Sequence, residues 1–176
     1  IDEAHTAAEW GETFRPALKR SGEIIKKLAP KCVTAFTATA TPYILERIRT
    51  IIFGDEPVNI IEGNPDRSNI FYSVLPTICP DRDTAMLAEK AEKPLIIFCP
   101  SRSDTEITAR KLRKKLKKDN IFFYHAGLEK EEKSNVEKWF FSSTDGILAA
   151  TCAYGMGIDK PDIRTVIHRS VPQSVE

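Results

Sequence analysis

With 176 residues, of which 41% are hydrophobic and 29% charged, the chain has room for one large globular domain or two small ones. Its net charge of +1 argues neither for nor against nucleic acid, because 8 basic and 9 acidic residues precede Asn64 and 18 and 16 follow it, so neither half is a basic tail. Four cysteines at least 20 residues apart and three scattered histidines make no zinc spacing, which favours reduced thiols, and the lack of a run of about 18 apolar residues argues against a membrane segment.

The chain opens on Ile1-Asp2-Glu3-Ala4-His5. A hydrophobic residue followed at once by paired carboxylates is how a buried parallel strand can end in a phosphate pocket. Asp2 suits Mg²⁺ held through its water shell, since that ion dehydrates reluctantly. Glu3 suits a water attacking the terminal phosphate of a nucleotide, and His5 sits where it can report the nucleotide state to neighbouring loops. An isolated Asp-Glu pair is more often a solvated turn. The weight comes from the segments that follow.

Residues 6–16 are too rich in Gly, Pro and polar side chains for a strand. Two readings stay open for this loop: Trp10 and Phe14 pack onto the next helix, or with Arg15 they stack on unpaired bases. A helix is expected from Pro16 to Leu28, with Leu18, Ile25 and Leu28 sharing an apolar face and Pro30 ending it. Cys32–Phe36 reads as a buried strand. Thr41 and Pro42 form an N-cap and first helical position, which leaves Thr37 and Thr39 to bond His5. Ile44, Leu45, Ile48, Ile51 and Ile52 mark an amphipathic helix ending near Gly54, and Val58–Ile61 a short strand.

Gly63-Asn64-Pro65-Asp66-Arg67 is the best boundary, giving domains 1–64 and 65–176. A strand at Ile70–Val74 and a helix around Asp83–Lys90 lead to Pro94–Cys99, an apolar run typical of a central parallel strand. Pro100-Ser101-Arg102 then precedes a helix with a capping box at Ser103–Glu106. Its second half, 110–118, carries seven basic residues, better read as a solvated face than as a phosphate track. Ile121–Tyr124 is a strand ending in His125, a residue that can cap the next helix or touch a nucleic-acid backbone. A helix over Lys130–Phe141, a buried strand at Gly146–Thr151 and a last strand at Val166–His168 follow. Before that last strand, Gly155 and Gly157 suit close approach of backbone N–H groups to a phosphate, and Asp159 suits a ribose hydroxyl. Strands and helices alternate, with the proposed chemistry at strand C-termini, where open α/β sheets bind ligands.

Taken in this order, the segments resemble a superfamily-two helicase of the RecQ type. Asp2-Glu3-Ala4-His5 is similar to motif II (the DEAH box), Thr37–Thr41 to motif III, Phe98–Arg102 to motif IV and Thr151–Pro161 to motif V. The Trp-Gly…Phe-Arg-Pro loop, Tyr124-His125-Ala126-Gly127-Leu128 and Tyr154-Gly155-Met156-Gly157-Ile158-Asp159-Lys160-Pro161 point to RecQ in particular. Ala8, Glu9 and Glu12 depart from the family's Ser-Gln and His around the Trp, and Leu18 from an aromatic. No Gly-Lys dipeptide, and hence no Walker A loop, occurs, and the arginine-finger segment is not reached.

The resemblance implies RecA-like parallel sheets with flanking helices, comprising the C-terminal part of a first lobe and most of a second. It implies ATP and Mg²⁺ as cofactors, single-stranded or partly duplex DNA as partner, and 3′ to 5′ movement in recombination and repair. Asp2 would serve the metal, Glu3 the water, and His5, Thr37 and Thr39 the coupling. Trp10, Phe14, Arg15, Ser101, Arg102, His125 and Thr151 would meet DNA, while Gly155, Gly157 and Asp159 would meet the nucleotide across a cleft from the acidic doublet. The isolated chain is expected to turn over no ATP, and a cytoplasmic (nucleoid) or nuclear location is expected. Two rivals are a non-enzymatic single-strand-binding module and a DEAH- or DEAD-type RNA helicase fragment.

Overall fold

The computed structural model describes residues 1–9, 17, 20–38, 40–63, 67–155 and 160–170. The chain divides into two compact units, one built on Ile1–Phe71 and the other on Tyr72–Gln173. The division therefore comes just beyond the Gly63–Arg67 junction.

In the first unit, helices α1 (His5–Glu9), α2 (Ser21–Leu28) and α3 (Pro42–Ile48) are followed by a π turn at Arg49–Phe53. Thr41 caps α3 by accepting from the Ile44 N–H at 3.3 Å, and Pro42 takes the first turn, as its missing N–H allows. Ala4 and Ala8 present small side chains to Ile44, Ile48 and Ile52, and these five bury one another. Gly22 is required by packing, because a Cβ there would meet the Ile51 carbonyl oxygen at 2.5 Å. The opening residues run alongside the segment before Thr37. The terminal amine of Ile1 donates to Thr34 O at 2.7 Å, Phe36 N–H to Ile1 O at 2.8 Å, and Ala4 N–H to Phe36 O at 2.9 Å.

Several sequence expectations need correction here. Cys32–Phe36 is extended but not buried, with Phe36 64% exposed. Among the described residues only the opening segment pairs with it, so its alternate side chains stay in water. Helix α2 starts at Ser21, and of the expected face Ile25 packs, Leu28 is 73% exposed and Leu18 lies outside the described residues. Neither Val58–Ile61 nor Ile70–Val74 forms a strand, and Ile61, Phe71 and Val74 are each more than 90% exposed. β-branched and aromatic residues favour a strand only where a neighbouring strand and a buried face receive them.

The second unit is built on a four-stranded parallel sheet of β1 (Leu95–Phe98), β2 (Ile121–Tyr124), β3 (Ile147–Ala150) and β4 (Thr165–His168), in the order β2-β3-β1-β4. Helices α4 (Pro80–Lys90), α5 (Arg102–Leu116) and α6 (Lys130–Ser142) connect and flank it. Because side chains alternate along a strand, Leu95, Ile97 and Cys99 pack with Ala85, Ala88, Ala109 and Leu112 from α4 and α5. Ile96, Tyr124, Leu148 and Ala150 pack with Phe140 of α6 and with Tyr154 on the other face. Burying each large side chain in these two layers contributes about 1.5–3 kcal/mol. Central β3 is buried at every position, whereas edge β4 alternates.

The cap of α5 differs from the expected box at Ser103. Ser101 is the N-cap, its hydroxyl accepting from Asp104 N–H at 3.1 Å and donating to Asp104 Oδ2 at 2.6 Å. The same Ser-x-x-acid spacing also occurs two residues before the expected box, at Ser101–Asp104. Helix α6 carries a capping box between Glu129 and Glu132.

Candidate nucleotide and nucleic-acid sites

In the first unit, Asp2, Glu3 and His5 fall on the turn that opens α1. Glu3 has φ +49°, a left-handed conformation uncommon for a side-chain-bearing residue and frequent at functional turns. The turn is closed locally: Asp2 Oδ1 accepts from Glu3 N–H at 3.0 Å, and Glu3 O accepts from the Thr6 N–H at 2.9 Å and hydroxyl at 2.8 Å. Both carboxylates remain exposed. His5 Nδ1 lies 2.9 Å from Thr37 Oγ1 and 3.3 Å from Glu3 Oε2, with the ring largely buried. One ring nitrogen thus links the acidic turn to the threonine segment, as the sequence suggested. Thr39, Trp10, Phe14 and Arg15 lie outside the described residues.

This donor set fits Mg²⁺ of one kind. One or two exposed carboxylates suit a hydrated ion that arrives with nucleotide phosphates, in contrast to a dedicated protein cage. Among the described residues no group of three or more His, Cys, Asp and Glu side chains is placed to form such a cage.

In the second unit, parallel strands bring the ends of β1, β2 and β3 to one edge. Ser101 and Arg102 follow β1, His125 follows β2 and Thr151 follows β3, whose N–H donates to Tyr124 O at 3.1 Å. Gly127 lies between two of these side chains, since a Cβ there would meet Arg102 Nη1 at 3.1 Å and His125 Nδ1 at 3.2 Å. His125 is 5% exposed, and its Nε2 lies 3.1 Å from Glu106 Oε1. Its Nδ1 is buried without a partner, the kind of orphan group that calls for an explanation. Phe123 stacks on the ring at 5.6 Å between centroids. This strand edge thus brings an exposed guanidinium beside a buried imidazole.

The glycine turn is less clear-cut. Gly155 has an ordinary negative φ, and its N–H already donates to Cys152 O at 3.0 Å, so this amide is not presented to a phosphate. Gly157 and Asp159 lie outside the described residues. Lys160 is among the described residues, and it is tied to the end of α6. Its buried Nζ donates to Phe141 O and Ser143 O, both at 3.0 Å, pairs with Asp162 Oδ1 at 2.7 Å and sits 5.6 Å from the Phe140 ring centre.

Sequence reasoning missed Glu106, Gly127 and Lys160. Glu106 reads in the sequence only as the acid of a capping box, because its partner His125 is 19 residues away and only the α5–β2 packing joins them. Lys160 stands there only as one member of the Tyr154–Pro161 segment, with no role of its own. Among the described residues, no helix is long and apolar enough to cross a membrane.

Residues 81–176 match the helicase conserved C-terminal domain. Over its full length the chain is 35% identical to the probable ATP-dependent DNA helicase RecS of Bacillus subtilis, spanning 36% of that protein. It is 37% identical to the RecQ-like DNA helicase BLM of Xenopus laevis and 36% identical to the ATP-dependent DNA helicase hus2/rqh1 of Schizosaccharomyces pombe, spanning 13% of each. The S. cerevisiae Dbp5 structure bound to RNA and ADP BeF3 superposes with a TM-score of 0.70 at 16% identity, over 99% of this chain and 44% of that one, which is a likeness of fold. The chain spans about a third or less of the curated relatives it matches. Its parallel sheet with flanking helices is the RecA-like arrangement, and the chain belongs to the helicase conserved C-terminal domain family, as a RecQ-type member.

Proposed function

We propose that this chain is part of an ATP-dependent DNA helicase that moves 3′ to 5′ along single-stranded DNA during recombination and repair, in the nucleoid or the nucleus. The whole-length similarity to relatives named as DNA helicases is the observation that carries this reading. Residues 1–64 would form the end of the first lobe and residues 65–176 most of the second.

Asp2 would hold Mg²⁺ through water, and the ion would neutralise charge on the nucleotide phosphates. Glu3 would orient the attacking water. His5, with Thr37 and Thr39, would carry the nucleotide state to the threonine segment, and the 2.9 Å contact between His5 and Thr37 supports that role. Gly155, Gly157 and Asp159 would serve the nucleotide, with the committed Gly155 N–H leaving most of the work to the other two. Trp10, Phe14 and Arg15 would sense DNA. Ser101, Arg102, His125 and Thr151 would touch its backbone, and their common position at the ends of three adjacent strands supports this.

The test is an unwinding assay on the full-length parent helicase, wild type and Glu3→Gln, with DNA and RNA duplexes bearing 3′ tails. Expected is ATP-dependent unwinding of the DNA substrate that the substitution removes. Preferential unwinding of RNA would overturn the reading in favour of an RNA helicase.

A further inference from the structure

Between the start of α4 and the second half of α5, beside the end of β4, the second unit holds a cavity of about 470 Å³. Its walls carry Arg82, Lys111, Lys114, Lys115 and Arg169 against one acid, Asp81. Asp81 is already bound twice, by Lys111 and by Arg169 Nη2 at 2.5 Å, and these neighbours, Lys111 foremost, hold its carboxyl below the usual range. Arg82 is paired with Asp83 at 2.8 Å, so the surplus of positive charge rests on Lys114, Lys115 and the sharing of one carboxylate, Asp81, between Lys111 and Arg169. Arg169 is fixed in place, since its Nη1 also donates to Thr108 Oγ1 at 2.5 Å, while its buried Nε has no acceptor. Part of the lining is apolar, from buried Ala85 and Leu112.

A solvated basic face needs no concavity, no apolar lining and no clamped arginine. This site has all three, and they select the ligand. The charge surplus favours an anion, the size suits a few residues of chain, and the aliphatic lining from Ala85 and Leu112 suits an aliphatic side chain. We propose that the α4–α5 cavity is a docking site for an acidic peptide of a partner protein, its carboxylates meeting Lys111, Lys114, Lys115 and Arg169 and one aliphatic side chain resting on Leu112. Lys111, Lys114 and Lys115 lie within about one helical turn on α5, so successive acidic residues of an extended peptide can follow that edge. Its lining residues are distinct from the strand-end residues assigned to DNA.

The probe is a short fluorescein-labelled peptide of Asp and Glu around a single Leu, titrated into the 176-residue chain and followed by anisotropy. Expected is saturable binding, weakened about tenfold or more by Lys114→Glu with Lys115→Glu, and by less than about twofold in the equally charge-altered Lys130→Glu/Lys138→Glu control on α6. Replacing the peptide's Leu by Gly is expected to weaken binding about fivefold. If the Glu variant loses its circular dichroism, the milder Lys114→Gln/Lys115→Gln pair serves, with about threefold expected. No binding, equal losses in both variants, or displacement of the peptide by an oligothymidylate at equal or lower concentration would overturn the proposal. The last outcome would mark the surface as a general phosphate track.

Discussion

His5 and Thr37 stand 32 residues apart in sequence and meet with Nδ1 and Oγ1 2.9 Å apart. The contact joins the start of α1 to the residue after Phe36, and the flanking segments also share backbone hydrogen bonds, Phe36 N–H to Ile1 O and Ala4 N–H to Phe36 O. Removing the hydroxyl should loosen that junction. Thr37→Val is expected to cost about 1 kcal/mol locally and to speed hydrogen exchange at the Ala4 and Phe36 amides about fivefold. Exchange unchanged within twofold would mean that the contact does not hold the segments together.

Arg102 and His125 flank Gly127 at the strand ends. If Arg102 neutralises one phosphate, Arg102→Ala will weaken oligothymidylate binding and lower the slope of log affinity against log salt by about one. Titrations at several salt concentrations read both quantities. An unchanged slope would remove Arg102 from the backbone contact.

Lys160 is a buried cation whose bonds close the end of α6. Lys160→Met keeps much of the volume and deletes the donors, at an expected cost to the second unit of about 1–3 kcal/mol. Urea titration followed by Trp139 fluorescence, in a Trp10→Phe background, measures the loss. Wild-type stability would show that water replaces the amine without penalty.

Two groups set opposite pH limits on the second unit. Burial and the hydrogen bond to Glu137 raise the Tyr124 phenol from 10.0 to about 12. Its contribution is therefore complete below pH 10 and fades as pH rises towards about 12. Asp81 is shifted the other way, held down first by Lys111, so its contribution is present above the ordinary value of 3.8 and is lost as pH falls below it. Tyr124→Phe should flatten the alkaline limb of a stability–pH curve and leave the acid limb in place.

Limited proteolysis should cut first in the stretch 67–78 and trim residues 1–64 before 65–176. Phe71, Tyr72, Val74 and Ile78 are each more than 80% exposed there, with no helix or strand at 67–78, whereas the second unit holds all four strands. Loss of the sheet-bearing unit first would contradict this order.

Local chemistry decides what sequence can announce. The acidic turn, the Thr41–Pro42 helix start, the apolar runs of β1 and β3 and, from β1 onward, the alternation of strand and helix were all legible, because each depends on side chains adjacent in sequence or one helical turn apart. The chain's own residues also named the family, through the order of its short segments. What the tertiary structure decided is everything that needs a distant partner. Val33 and Ala35 pack on the first unit's core, whereas Ile70–Val74 has strand-forming side chains and stays exposed, because burial requires a face to pack on, and sequence does not supply one. Glu106 reached His125, Arg102 reached Gly127, and Arg169 reached Asp81 only once parallel strands had brought separate loops to one edge and α4 beside α5. Periodicity fixes which face of an element is apolar. The packing of elements fixes which charged groups meet.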